Sequence, residues 1–489
     1  MSATTQVRTL ELYVGGRFEP ASGDVEPLDD RNPATGESLA RVPLCGTDDV
    51  DRAVQAARAA QPAWRETSPL VRARAVMRLR EELHARREEL AQLVTTDMGK
   101  TLSDARGEVQ RGIESTEAAT AAPHLLKGES LEGVAGGVDV QMVRQPVGVV
   151  AAITPFNFPI MIPLWFLPYA LAAGNAVVLK PSELDPLPSE LLMRIVDGIE
   201  ELPPGIVNLV HGGQAAVESL CDHPGVDAVS FVGSAPVARL VAERAIRSGK
   251  RVQALGGAKN AMVVMPDAEP ELTTNGVLGS AFGAAGQRCL AGSVAVLVGS
   301  DSEQDAWRDR LVAAASELRV GDGSDPDTDV CPLVTPAARE RVEGEIAGAL
   351  EEGAEPALDG RGDPGPGGTQ LGPTILDSVD PESRAAREEL FGPLLTLIRT
   401  PDLAAALDWV NGSRYGNAAS IFTSSGSSAR EFRYQVQAGM LGVNIGVAAP
   451  VAWFPFAGWK ESMNGDLHAN GLDAIDFYTR KKVVTSRWG

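Results

Sequence analysis

The sequence of 489 residues has no excess of positive charge: its formal net charge is -21, and only eight of its 44 basic residues are lysine. A surface that binds nucleic acid or an anionic membrane needs basic patches that neutralise phosphates. The acidic balance therefore argues against both kinds of partner and favours a small-molecule substrate. The low lysine content fits a GC-rich genome and a high-salt cytosol equally well.

Cysteine is scarce, and its four copies lie far apart, at Cys45, Cys221, Cys289 and Cys331. This spacing is unlike that of zinc sites or disulfide frameworks, so we expect no metal site and a reducing cytoplasm. The N-terminus has no basic start followed by an apolar run, so no signal peptide is expected. The most apolar stretch, residues 159–173, is shorter than a membrane span and contains prolines. We therefore expect no membrane association.

The length predicts two or three domains, and the apolar fraction of 44% is typical of a globular protein. Residues 48–94 carry apolar side chains at helical spacing. A further helix is predicted over residues 102–121, where Arg111 by itself resembles an ordinary surface residue. Residues 133–143 show weak alternation, which predicts an extended segment.

Short apolar runs alternate with helical segments from residue 147 onward, and strands are predicted at 147–153, 176–179, 207–210, 228–231 and 252–255. Strands that alternate with helices form parallel β-α-β units, and continuous apolar strands indicate a sheet covered on both faces. The pattern predicts an α/β fold with a doubly wound domain.

A second alternating region has predicted strands at 261–265, 294–298 and 394–398, with a surface loop at 360–372 that is rich in glycine and proline. Residues 477–488 predict a lone strand. Such a strand needs a partner from elsewhere, and another subunit is one source.

Cys289 lies in a run of small residues, Gly283-Ala-Ala-Gly-Gln-Arg-Cys-Leu-Ala. Small neighbours leave room for a ligand, and the adjacent Arg288 is expected to favour the thiolate, which is the nucleophilic form of cysteine. A buried structural cysteine is the alternative. The stretch alone does not decide between a catalytic and a structural cysteine.

Three further motifs follow predicted strands: Thr154-Pro-Phe-Asn-Phe-Pro, Lys180-Pro-Ser-Glu and Phe231-Val-Gly-Ser. Ligands of open α/β sheets bind at the carboxyl ends of the strands. Gly233 and Ser234 would begin a helix whose first amides can hold a pyrophosphate. The usual dinucleotide fingerprint, G-x-G-x-x-G after the first strand, is missing.

Together with Cys289 and Glu389-Leu-Phe-Gly-Pro, these motifs resemble the aldehyde dehydrogenase superfamily, from about Leu12 to the C-terminus. Within it the chain is most similar to the CoA-acylating methylmalonate-semialdehyde dehydrogenases, through residues 154–171, 251–260, 454–460, 465–468 and 477–488.

The resemblance implies an aldehyde dehydrogenase-like architecture. It comprises an NAD-binding domain (1–123 and 146–255), a catalytic domain (256–445) and a small β oligomerisation arm (124–145 and 470–489). Residues 446–469 return to the active site and the cofactor domain. The chain would form a homodimer or a homotetramer.

The resemblance also assigns roles to single residues. Cys289 would form a thioester with the substrate, and the side-chain amide of Asn157 would stabilise the oxyanion. The cofactor residues would be Thr154, Phe156, Lys180, Glu183, Gly233, Ser234, Gly256, Glu389 and Phe391. A carboxylate at the adenosine ribose, here Glu183, favours NAD over NADP. Considered singly, Asn157 could be a turn residue, Lys180 a strand-end cation and Glu389 a surface acid.

One departure from the superfamily bears on the second half of the reaction. Hydrolytic members carry a glutamate, which activates water, where this chain has Ala254. A methyl group takes no proton, so the thioester would wait for CoA, whose thiol ionises more readily than water.

The implied substrate carries a carboxylate. Arg111 and Arg288 match the pair that holds this group in the methylmalonate-semialdehyde enzymes, and Phe456 is a third substrate contact. A carboxylate next to a thioester can leave as CO2, so malonate or methylmalonate semialdehyde would give acetyl-CoA or propionyl-CoA. The segment Gly446-Val-Ala-Ala-Pro departs from the family pattern close to the expected substrate.

Two alternatives remain at this point. The chain could be a hydrolytic aldehyde dehydrogenase that uses another base on another aldehyde. It could also be an inactive homologue kept as a structural or binding protein, although intact Cys289, Asn157 and Glu389 argue against that role.

Overall fold

Two open β-sheets covered by helices make up most of the computed structural model, which describes residues 7–23 and 25–489. The strands of this described part are β1 Leu12–Val14, β2 Arg17–Glu19, β3 Leu28–Arg31, β4 Ser38–Val42, β5 Glu129–Ala135, β6 Val138–Pro146, β7 Val149–Ile153, β8 Ala176–Lys180, β9 Val207–Leu209, β10 Ala228–Val232, β11 Arg251–Leu255, β12 Asn260–Val264, β13 Gly292–Val298, β14 Glu355–Leu358, β15 Thr374–Asp377, β16 Leu394–Thr400, β17 Tyr415–Gly416, β18 Ala418–Phe422, β19 Met440–Val443, β20 Trp459–Lys460, β21 Met463–Asn464 and β22 Thr479–Arg487.

The helices of the same residues are α1 Thr47–Glu66, α2 Pro69–Ala85, α3 Arg87–Met98, α4 Leu102–Ala119, α5 Ala122–Leu125, α6 Pro163–Ala173, α7 Leu187–Asp197, α8 Gln214–Asp222, α9 Ala235–Arg247, α10 Pro270–Phe282, α11 Asp301–Ser316, α12 Pro336–Glu351, α13 Arg384–Arg387, α14 Leu403–Asn411, α15 Gly426–Gln435 and α16 Gly471–Phe477.

The first sheet has the strand order β2-β1-β9-β8-β7-β10-β11-β21. Its five central strands, β9-β8-β7-β10-β11, are parallel to one another. Every residue of β7, β8 and β10 is buried. The five strands predicted between residues 147 and 255 are therefore confirmed. Their carboxyl ends meet at one edge, and the three motifs that begin at Thr154, Lys180 and Phe231 lie there.

The second sheet has the order β14-β15-β16-β13-β12-β18-β19 and is parallel except for β14. It includes the strands predicted near 261, 294 and 394. Each sheet has its own hydrophobic core, and the Cys289 loop lies where the two cores approach. Ala285 belongs to the core of the second sheet, whereas Cys289 packs against the core of the first.

A third sheet is three-stranded and antiparallel, with the order β22-β6-β5; we call it the arm sheet. The extended segment predicted at 133–143 is a hairpin of β5 and β6. The strand predicted near the C-terminus is β22, but the expectation that it is lone is wrong: it pairs with β6 of the same chain, from Thr479 opposite Pro146 to Arg487 opposite Val138.

The helical pattern predicted over residues 48–94 is confirmed and is divided among three helices, α1, α2 and α3. Pro69 begins α2, and the Ser68 hydroxyl accepts the Leu70 N–H at that helix start. The helix predicted over 102–121 is α4, whose first turn is capped by Thr101: its hydroxyl accepts the Asp104 N–H at 3.1 Å.

The glycine-rich loop predicted at 360–372 contains no helix or strand; residues 361–364 are exposed, whereas Thr369, Leu371 and Gly372 are buried. No helix in the described part of the chain has the length and apolar character that a membrane crossing requires.

Candidate active site

The loop that carries Cys289 has an unusual backbone. Ala284 and Ala285 have φ angles of 49° and 53°, and Gly286 follows with 70°. The left-handed region costs a non-glycine residue roughly 1–2 kcal/mol, so surrounding contacts must hold this turn in place. At Gly286 a side chain has no room, because a Cβ there would lie 2.2 Å from the carbonyl oxygen of Gly392.

Two asparagines that sequence reasoning missed hold the Cys289 backbone. The side-chain amides of Asn260 and Asn417 donate to the Cys289 carbonyl at 2.9 and 2.7 Å. Asn260 also donates to the carbonyl of Ala291 at 2.9 Å. Asn260 ends the motif that begins at Arg251, which could have pointed to it, whereas no sequence signal marks Asn417.

The Cys289 thiol is half-buried. Burial raises the pKa of this thiol to about 12, and the negative charge of Glu389 adds to the rise. Hydrogen bonds from the backbone amides of Cys289 and Leu290 lower the pKa, and the charge of Arg288 lowers it least. Arg288 thus favours the thiolate, as expected from the sequence, but burial and Glu389 outweigh it and the thiol pKa is raised. Its guanidinium is bound to Asp104, with Nη2 at 3.1 Å from Oδ1 and 3.2 Å from Oδ2, and its effect on the thiol is the weakest of those named.

A pocket of about 260 Å³ brings together Cys289 and all three predicted substrate residues, Arg111, Arg288 and Phe456. Phe456 and Trp165 stack at 4.6 Å between ring centroids and form part of an apolar wall. The Arg111 guanidinium donates weakly, at 3.4 Å, to the Pro450 carbonyl. Within the described residues no carboxylate lies within salt-bridge distance of Arg111, so it is a cation of this pocket that lacks an acidic partner.

Asn157 is buried in the loop between β7 and α6, at 3% relative exposure. Its backbone carbonyl accepts a hydrogen bond from the Lys100 ammonium at 2.8 Å. Its side-chain amide has no hydrogen-bond partner among residues 7–23 and 25–489, so both amide hydrogens remain available to a ligand.

A second cavity, of about 770 Å³, lies along the carboxyl ends of β7, β8 and β10. It brings together six of the predicted cofactor residues, Thr154, Phe156, Lys180, Glu183, Gly233 and Ser234. On its wall the Lys180 ammonium lies 3.0 Å from the Glu183 carboxylate. Val237 and Leu240 of α9 also line this cavity, and their side chains are 43% and 63% exposed. A flat aromatic ring such as adenine could cover them on binding. These residues fit an adenine dinucleotide.

The remaining cofactor candidates lie elsewhere. Glu389 Oε1 accepts the Ala258 N–H at 2.9 Å, and burial raises its pKa to about 7. Phe391 has a φ of 51°, and its ring lies edge-on to Phe156 at 5.7 Å, beside the large cavity. Gly256 does not line that cavity. Its backbone passes so close to the Glu461 backbone that a Cβ at position 256 would lie 2.8 Å from the Glu461 carbonyl oxygen.

Ala254 lies in β11 opposite Phe231 and Asn464, with no exposed surface. Leu255, the last residue of the strand, is also buried. Neither side chain can take a proton, and neither lines the Cys289 pocket. The carboxylate whose charge acts on the Cys289 thiol is Glu389.

Comparison with known proteins agrees with this geometry. The profile of the Aldehyde dehydrogenase family matches residues 20–484. The chain is 49% identical over 491 aligned positions to malonate-semialdehyde dehydrogenase 1 of Geobacillus kaustophilus, with both chains fully covered. It is 47% identical to malonate-semialdehyde dehydrogenase 2 of Shouchella clausii, with 99% of each chain covered.

Two solved structures share the whole fold. A methylmalonate-semialdehyde dehydrogenase from Oceanimonas doudoroffii superposes with a TM-score of 0.95 at 43% identity, over 99% of each chain. A protein from Sinorhizobium meliloti, described as a methylmalonate-semialdehyde dehydrogenase and solved with NAD, superposes with a TM-score of 0.96 at 41% identity, also over 99% of each chain. The fold, the Cys289 loop and these similarities together lead to one conclusion: the chain belongs to the aldehyde dehydrogenase family.

Proposed function

We propose that this enzyme oxidises malonate semialdehyde or methylmalonate semialdehyde with NAD and transfers the product to CoA, giving acetyl-CoA or propionyl-CoA. The observation that carries the proposal is an arginine without an acidic partner, Arg111, in the same small pocket as Cys289. A guanidinium is a good partner for a carboxylate. Relatives named for both semialdehydes support the proposal.

The first half of the reaction begins when the partly exposed Cys289 thiol loses its proton to solvent water. Its sulfur adds to the aldehyde carbon, and negative charge develops on the former carbonyl oxygen. The Asn157 side chain and the Cys289 backbone amide donate hydrogen bonds to that oxygen. Arg111 and Arg288 bind the substrate carboxylate, which orients the aldehyde towards the sulfur.

Bound NAD would supply the acceptor for the hydride that leaves the substrate carbon, so that a thioester on Cys289 remains. In the large cavity Lys180 and Glu183 would hold the adenosine ribose, and Gly233 and Ser234 at the start of α9 would hold the pyrophosphate. Thr154 and Phe156 would complete that wall. Glu389 and Phe391 would contact the nicotinamide end, and Gly256 would support the turn beside it.

In the second half of the reaction the Cys289 thioester loses CO2, and the remaining acyl group is then transferred to CoA. The bond between the carboxylate carbon and the α-carbon of the thioester breaks, and CO2 leaves. The electron pair of that bond moves towards the thioester carbonyl, and the α-carbon then takes a proton from water. The CoA thiolate adds to the thioester, and the Cys289 sulfur leaves. Ala254 and Leu255 offer no base that would activate water instead.

One observation favours a hydrolytic enzyme as a second candidate. Glu389 is a buried carboxyl group whose pKa burial raises to about 7, and its charge acts on Cys289. Such a group could take a proton from water. In the present conformation, however, Glu389 Oε1 accepts the Ala258 N–H, and Glu389 does not line the Cys289 pocket.

We further propose that the enzyme is a cytoplasmic homodimer or homotetramer assembled through the arm. The arm sheet exposes large apolar side chains, among them Leu131, Val483 and Trp488 at 65%, 64% and 67%. β22 and β5 are edge strands of that sheet, and exposed edges with apolar side chains favour association. Light scattering of the native enzyme and of a Val483→Lys variant tests the assembly.

The test of the function is NADH formation by purified enzyme from malonate semialdehyde, methylmalonate semialdehyde and propanal, each with and without CoA. We expect both semialdehydes to be preferred to propanal and acyl-CoA to be the product. Equal use of all three aldehydes would overturn the carboxylate assignment. Free acid as the main product would favour the hydrolytic candidate.

A further inference from the structure

A buried ion pair lies beside the candidate catalytic residues. The Lys100 ammonium is 2.5 Å from Glu108 Oε2, and the two side chains are 1% and 0% exposed. Lys100 lies just before α4 and Glu108 is inside it, and both line the Cys289 pocket. The mechanism above uses neither residue.

Both charged groups bind the loop that carries Asn157. The Lys100 ammonium donates to the Asn157 carbonyl at 2.8 Å and lies 4.2 Å from the centre of the Phe158 ring. Glu108 Oε1 accepts the N–H groups of Ile160 and Met161 at 2.9 and 3.1 Å. Three backbone atoms within five residues of this loop are thus held by one ion pair.

A buried ion pair is weak support for a fold, because desolvation of the two charges offsets much of their attraction. What this pair provides is a fixed position for the backbone of the Asn157 loop. The Asn157 side chain has no hydrogen-bond partner of its own in the described part of the chain, so its direction depends on the backbone to which it is attached. An oxyanion donor acts only when it lies about 2.7–3.1 Å from the developing charge.

We infer that Lys100 and Glu108 are positioning residues that set the Asn157 amide for the oxyanion of the thiohemiacetal. The inference rests on the proposed function, because it requires Asn157 to be the oxyanion donor. The pair acts on acylation through Asn157 and does not itself touch the reacting atoms.

The test replaces both charges at once, in Lys100→Met/Glu108→Gln, so that no unpaired buried charge remains. The amplitude and rate of the first NADH turnover are measured by rapid mixing, and the NAD dissociation constant is measured alongside. We expect acylation to slow by roughly tenfold, a fraction of the 10²–10³ that loss of an oxyanion donor costs, with NAD binding unchanged. Acylation at the wild-type rate would overturn the inference.

A double-mutant cycle separates positioning from general support of the pocket. Asn157→Ala is combined with the Lys100→Met/Glu108→Gln pair. If the pair acts through Asn157, it slows acylation by less than about twofold in the Asn157→Ala background. The same tenfold loss in that background would overturn the positioning role alone. A fully active Asn157→Ala would overturn the oxyanion assignment of the proposed function as well.

Asp377→Asn/Arg399→Met is the matched control, since it removes an ion pair of β15 and β16 whose Nη2 and Oδ2 are 2.6 Å apart. It should lower thermal stability without changing acylation. If the Lys100 and Glu108 double variant does not fold, Glu108→Asp keeps both charges but draws the carboxylate back by one methylene from Ile160 and Met161. Acylation should still slow in Glu108→Asp, and a wild-type acylation rate there would overturn the inference.

Discussion

The Arg288 guanidinium is bound by Asp104, whose two carboxylate oxygens lie 3.1 and 3.2 Å from Nη2. The same carboxylate accepts the N–H of Ala284 at 3.1 Å, at the start of the left-handed turn that leads to Cys289. The neighbour of the nucleophile in sequence is therefore already paired, and its charge acts little on the thiol.

Alkylation of Cys289 should follow from this pairing. Burial raises the pKa of the Cys289 thiol to about 12, so the iodoacetamide rate should rise with pH from 6 to 9 without a plateau. Arg288→Leu should leave that profile nearly unchanged. Cys289 should still react before Cys45, Cys221 and Cys331, because those three are buried. A plateau below pH 8 that disappears in Arg288→Leu would show that Arg288 lowers the thiol pKa far more than this pairing allows.

The two substrate arginines should differ in effect. Arg111→Leu removes a cation without an acidic partner and should lower kcat/KM for malonate semialdehyde by about ten- to a hundredfold relative to propanal, the value of a charge-assisted hydrogen bond of roughly 1.5–3 kcal/mol. Arg288→Leu should cost less, since Asp104 already offsets its charge. Steady-state kinetics on both aldehydes measure this. Equal losses on the two aldehydes would mean that Arg111 is structural.

Glu183 should set the choice of cofactor. Glu183→Gln removes the carboxylate that repels a 2′-phosphate, so the preference for NAD over NADP should weaken. Glu218→Gln is a suitable control, because Glu218 lines the same cavity but is bound by Arg244 at 3.0 Å. Kinetics with both cofactors decide the matter, and an unchanged NADP to NAD ratio in Glu183→Gln would place the ribose elsewhere.

The parallel strands were predictable because each is a short buried apolar run followed by a polar motif. Val149–Ile153 and Ala176–Lys180 are examples. The pairing of β22 with β6 was not predictable, because it joins residues more than 300 positions apart and depends on how the whole chain folds.

The site was predictable where a motif carries the chemistry, as at Cys289 and at the wall of the large cavity. It was not predictable where the role depends on a partner. Arg288 beside Cys289 indicated an activated thiol, and only the structure brings Asp104 to that guanidinium. Lys100 and Glu108 resemble ordinary charges of a helix surface until folding buries them together.

A buried acidic cluster should make stability depend on pH. Burial raises the pKa of Asp30 to about 7, and burial with neighbouring carboxylates raises those of Asp97 and Asp185 well above the usual range. The native state then holds protons that the unfolded chain releases near its ordinary pKa. This stabilisation is complete below about pH 4 and is lost as pH rises through 7, by up to about 1.4 kcal/mol per pH unit for each proton.

Asp185→Asn should reduce that dependence, because an amide has no proton to lose in this range. Thermal unfolding between pH 5 and 8 should show a Tm that falls more steeply in the native protein than in Asp185→Asn. Glu303→Gln, which alters an exposed capping residue of α11, serves as a control for a single lost carboxylate. Parallel curves for native protein and Asp185→Asn would show that the cluster is not linked to folding.

Ala254 and Leu255 leave the end of β11 without a base, so the thioester should persist until CoA arrives. Rapid mixing of the enzyme with NAD and malonate semialdehyde in the absence of CoA measures this persistence. We predict a burst of about one NADH per active site followed by slow turnover, with CoA restoring fast turnover and acetyl-CoA as the product by mass spectrometry. Rapid steady release of free acid without CoA would show that the enzyme hydrolyses its thioester.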